Sequence, residues 1–252
     1  MANISTVNNL YFDQLLRTEP CDVNLWYQNL KNNVLILEHG RQIDLTLKKL
    51  SLTGQLFWRW RGFEDAISLL LQHVVECEIE ELFLQNQNIT ENEFFTLTKN
   101  VKYLNLYDVK IRDDDGLLLN VGDILGKVAD QIVEFGYAGD HDELISFTKS
   151  NTTEIPILPK LQKLTLVDVK NNLKYNDFFE FVKKYQKIEY CFGFQLSDDH
   201  DSTVTQNILK SAILCYFKNA EVVREEDYAG YWWYWNFNKA TVAEDKTPTL
   251  CV

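Results

Sequence analysis

The sequence predicts an α/β chain, an irregular leucine-rich-repeat-like solenoid of parallel strands backed by short helices. Two strand-like segments 60 residues apart carry one pattern, Val101-Lys-Tyr-Leu104-Asn-Leu106-Tyr-Asp108-Val109-Lys110 and Leu161-Gln-Lys-Leu164-Thr-Leu166-Val-Asp168-Val169-Lys170. The helical stretch Asn92-Glu-Phe94-Phe95-Thr-Leu97-Thr-Lys99 likewise parallels Asn176-Asp-Phe178-Phe179-Glu-Phe181-Val-Lys183. Counted from the first apolar position, units begin near 79, 101, 132, 161 and 188, giving spacings of 22, 31, 29 and 27. Such units bury their apolar faces only by stacking on neighbours.

Taken in order, residues 8–33 place Leu10, Leu15, Leu16, Leu25, Trp26 and Leu30 at helical spacing and predict two short helices. Residues 34–37 and 43–52 read as strands, and residues 63–75 as a helix leading into the first repeat. In that repeat, Ile79-x-x-Leu82-x-Leu84-x-x-Gln87-x-Ile89 fits the leucine-rich template, with Gln87 at its usual Asn position. Thr90 and Glu93 have capping-box spacing before the next helix, and Asp177 and Glu180 sit at the same offset in the later copy. Ile132-x-x-Phe135-x-Tyr137 is a looser unit, while Ile188, Tyr190, Phe192 and Phe194 alternate as a half-buried strand. Residues 203–217 predict a capping helix, followed by the aromatic run Tyr231-Trp-Trp-Tyr-Trp235 and a polar tail. The organisation expected is a helical segment over 1–38, the repeat domain over 39–219 and an aromatic-rich segment and tail over 220–252. No Pro/Gly/Ser-rich linker divides them, so one domain is the simplest count.

Composition narrows the function. The 252 residues are 46% hydrophobic, as a packed domain requires, and 25 basic against 37 acidic side chains leave a net charge of -12. That field repels phosphate backbones and anionic lipid, so neither nucleic acid nor membrane is expected as a partner. Five dispersed cysteines without a CxxC pair read as reduced thiols. With no signal-peptide pattern at the start, a cytoplasmic or nuclear location is expected.

The motifs that carry chemistry point away from catalysis. The four histidines share no ligand spacing with each other or with the cysteines. His73 and Cys77, four apart, would share one helical face, but two ligands are too few for zinc. Asp113-Asp-Asp-Gly116 starts like a calcium loop, yet its twelfth position is Ile124 rather than Glu, so it reads as a solvated turn. Asp198-Asp-His-Asp201, between a strand and a helix, reads as capping and solvation. No phosphate loop, nucleophile elbow or His-Glu-x-x-His is present, and no cofactor, metal site or catalytic residue is expected.

Binding residues are easier to nominate. On the open face of a repeat sheet, the positions between inward leucines are Glu81, Phe83 and Gln85, then Tyr103, Asn105 and Tyr107, then Lys163, Thr165 and Val167. Trp232, Trp233 and Trp235 add large aromatic side chains near the end of the chain, and such residues dominate protein interfaces. Trp58 and Trp60 alternate similarly, and either aromatic cluster also suits closing an end of the core.

The string Leu82-Phe-Leu-Gln-Asn-Gln-Asn-Ile89-Thr-Glu-Asn-Glu-Phe94, then Thr98-Lys-Asn-Val101-Lys-Tyr-Leu-Asn-Leu and Asp113-Asp-Asp-Gly116, resembles nematode F-box-like and F-box-associated proteins in their leucine-rich-repeat-like region. Asn176-Asp-Phe-Phe-Glu-Phe-Val-Lys-Lys and the alternating strand after it extend the likeness over roughly residues 40–215. The resemblance implies a substrate receptor of an SCF-type ubiquitin ligase, with the repeats holding a protein target and an F-box docking on the SCF adaptor. The sequence departs from that plan: its single Leu-Pro pair is Leu158–Pro159, within the repeats, and about 33 residues precede the first strand. The F-box is either degenerate within residues 1–38 or missing. The expected function is therefore non-catalytic protein binding. A structural or adaptor role without a ligase link is the alternative, and an enzyme the third.

Overall fold

The computed structural model describes residues 34–36, 42–44, 50–59, 64–138, 145–150, 152, 154–167, 173–185, 187–195, 223–226 and 232–237. These fall into two compact units, one up to Leu119 together with Asp130–Ile132, the other over Asn120–Ala129 and from Val133 onward. Both are α/β, with parallel strands and short helices. The expected helices over 8–33 and 203–217, the Asp198–Asp201 cluster and the polar tail lie outside the described residues.

In the first unit, β1 (Val34–Ile36) and β2 (Gln42–Asp44) pair antiparallel as a two-stranded sheet. β3 (Leu50–Arg59), β4 (Val74–Thr90) and β5 (Tyr103–Arg112) form a parallel ladder with β4 in the middle. Parallel neighbours need a crossover connection, supplied by α1 (Ala66–Leu71) between β3 and β4 and α2 (Glu91–Thr98) between β4 and β5. The ladder aligns Leu56 with Leu82 and Leu104, and Trp58 with Leu84 and Leu106. All six are buried, as are Ile67 and Leu70 of α1 and Phe94 and Leu97 of α2. Each buried aliphatic side chain contributes about 1.5–3 kcal/mol of transfer free energy. Trp58 thus belongs to the core.

Local chemistry sets the element ends. At α2, the Glu93 amide donates to Thr90 Oγ1 and the Thr90 amide to Glu93 Oε2, the capping box expected from the sequence. The helix expected over 63–75 is shorter, because the His73 amide closes a turn on the Leu70 carbonyl and β-branched Val74 and Val75 already belong to β4. Of the strand expected over 43–52, residues 43 and 44 belong to β2 and residues 50–52 to β3, and residues 45–49 lie outside the described residues. Gln87, only 1% exposed, accepts the Ile67 amide at the start of α1 and donates to the Asn86 carbonyl at 2.7 Å. A buried amide so placed joins helix to strand and leaves neither unsatisfied.

The second unit holds α3 (Val121–Lys127), β6 (Glu134–Ala138), β7 (Lys163–Val167), α4 (Tyr175–Lys184) and β8 (Glu189–Gln195). β6, β7 and β8 run parallel, with α4 as the crossover between the last two. β9 (Val223–Glu226) pairs antiparallel with β10 (Trp232–Phe237), which pairs antiparallel with β8. The core here is aromatic: Phe178 of α4 lies 5.5 Å from Phe147 and meets Phe192 edge-on at 5.8 Å.

The Asp177–Glu180 offset is not a second capping box. α4 begins at Tyr175, which puts Asp177 inside the first turn, where it accepts from Ser146 and Thr148 at 2.7 and 3.0 Å and pairs with Lys174. Glu180 pairs with Lys183. A true capping box does occur at α3, between Asn120 and Asp123.

Candidate functional site

Among the described residues of the first unit, the face of the β3–β4–β5 ladder away from α1 and α2 gathers aromatic and polar side chains. Partners in a parallel ladder project to the same side, so the register assigns the rows. Gln55, Glu81 and Tyr103 form one row, Phe57, Phe83 and Asn105 the next, and Gln85 and Tyr107 the third. Before them come Ser51 with Glu76 and Thr53 with Glu78. Phe83 is the centre, its ring stacked 6.0 Å from Phe57 and 5.0 Å from Tyr107. Tyr103 is 37% exposed, and Phe57, Phe83, Gln85, Asn105 and Tyr107 are half-buried. Glu76 and Glu78 are exposed; Glu76 accepts from Ser51, and Glu81 accepts from Gln55.

Phe83, Gln85, Tyr103, Asn105 and Tyr107, nominated from the sequence, are therefore adjacent on one surface. Lys163, Thr165 and Val167 lie on β7 in the second unit, and Val167 is buried in the core rather than on an open face. Lys163 pairs with Glu189 at 3.3 Å, both about one-third exposed, and Thr165 stands between buried Gly136 and Cys191. On β10, Trp233 and Trp235 take the register positions of Phe194 and Phe192, and Trp232 that of Gln195. Sequence reasoning missed Phe57, Gln55, Glu76 and Glu78. The alternation of Gln55, Phe57 and Arg59 against Leu56 and Trp58 was the available signal for the first two.

Polar groups elsewhere have structural roles. Asp113 accepts the amides of Asp115 and Leu117, Gly116 adopts φ 79°, and Arg112 donates to the Gly116 carbonyl, so the acidic run is a turn held by its own carboxylate. His73 and Cys77 do not share a helical face, since Cys77 lies on β4; burial pushes its thiol up to about 11, with the Ile79 backbone opposing. The Tyr185 hydroxyl accepts from the Leu158 amide and donates to the Pro156 carbonyl, and burial raises its pKa. Burial also raises the Tyr190 hydroxyl, which donates to the Tyr185 carbonyl.

Among the described residues no group of three or more His, Cys, Asp or Glu side chains is placed to hold a metal ion, and no helix is long and apolar enough to cross a membrane. In comparisons with known proteins, no family model, no curated protein and no solved structure matches the chain.

Proposed function

We propose that the chain is a non-catalytic protein-binding domain whose units follow an irregular leucine-rich-repeat-like plan, and that the open face of β3–β5 holds the partner. The observation that carries this reading is the stacked ladder Phe57–Phe83–Tyr107 with exposed Tyr103 beside it. Partly exposed aromatic side chains on a rigid sheet bury large areas on binding at little entropic cost. The repeat-like plan is supported by Gln87, which satisfies backbone groups from the template's Asn position. The absence of catalysis is supported by the structural work of Asp113, Asp177 and Tyr185 and by a thiol that burial keeps protonated. By the resemblance noted above, the partner would be a substrate of an SCF-type ubiquitin ligase.

A photo-crosslinking residue at position 103, in the full chain and in the cells that make it, tests the binding face. Discrete adducts that disappear with Phe83→Ala are expected, and adducts that do not depend on Phe83 would overturn this face as the site. The ligase link is tested by titrating the chain against the SCF adaptor, with an intact F-box protein as control. Saturable micromolar binding supports it. No binding at high concentration removes the ligase role and leaves an adaptor or structural protein.

A further inference from the structure

We draw no further inference here: the strongest candidate, the apolar surface patch of Ile155, Ile157 and Pro159 on the loop that Lys184 and Tyr185 hold against the end of α4 in the second unit, carries nothing, because nothing in the structure shows what covers it.

Discussion

Asn86 of β4 and Asp108 of β5 occupy the same step of the parallel ladder, between the Gln85–Tyr107 and Gln87–Val109 pairs, and both have φ of 52°. Each left-handed residue adds one position, so the inward side changes from Leu82 and Leu84 to Gln87 and Ile89, and from Leu104 and Leu106 to Val109 and Ile111. Because both strands make the change at one step, pairing resumes without a register shift. Asn and Asp are the side chains that tolerate this region best after Gly. Asn86→Gly is therefore expected to hold or slightly raise stability, whereas β-branched Asn86→Val should lower it by about 1–2 kcal/mol. Urea unfolding of the two variants checks this; equal losses would mean that the Asn86 side chain, and not its backbone angle, matters.

Gly122 and Gly126 make a second matched test within α3. A Cβ on Gly122 would lie 2.4 Å from the Thr148 carbonyl carbon and oxygen, backbone atoms that cannot retreat. On Gly126 it would meet Lys149 Cε at 3.0 Å, the far end of a flexible side chain. Gly122→Ala should cost about 1–3 kcal/mol through overpacking. Gly126→Ala should gain up to about 1 kcal/mol from helix propensity. Thermal melts of the two variants in opposite directions are the expected result.

The leucine ladder was readable in the sequence because period-2 alternation directly reports a buried sheet face, and Leu82, Leu84, Leu104, Leu106, Leu164 and Leu166 are all fully buried. Phe83, Tyr103 and Tyr107 followed as the positions between them. Glu81 was readable as part of the face but Glu76 and Glu78 were not, because β4 carries an additional residue at Val75 and another at Glu80 relative to β3. Each reverses the alternation, and only pairing with β3 reveals it. α3 was missed because it is seven residues long and contains two glycines. The Asp177–Glu180 offset misled because capping depends on where the helix starts, and Lys174 is the N-cap.

Asp177 should make the fold acid-sensitive. Burial alone would raise its pKa, but hydrogen bonds from Ser146, Lys174 and Thr148 and the Lys174 charge outweigh it, leaving the folded value below the ordinary one. A depressed carboxylate pKa contributes stability that is fully present above the unfolded pKa, about 3.9, and is lost as pH falls through the folded value. Asp177→Asn should therefore destabilise at pH 7 and lose less on acidification than the parent. Parallel pH-stability curves would refute this assignment. Asp177→Ala, which also leaves the buried Ser146 hydroxyl without this acceptor, should cost about 1–3 kcal/mol at pH 7.

Cys77 provides a chemical probe of the first unit. Its thiol is raised from 9.0 to about 11 by burial, so at pH 8 the native chain holds about a hundredfold less thiolate there than an ordinary cysteine. Because thiolate is the alkylating species, iodoacetamide should modify Cys77 slowly in the native state and rapidly in urea, as read by peptide mass mapping. The increase should follow the unfolding transition if exposure requires opening of the β3–β4 pairing, in which Cys77 stands opposite Leu52. Rapid native-state alkylation would show that this part of the ladder opens locally, well below the global transition.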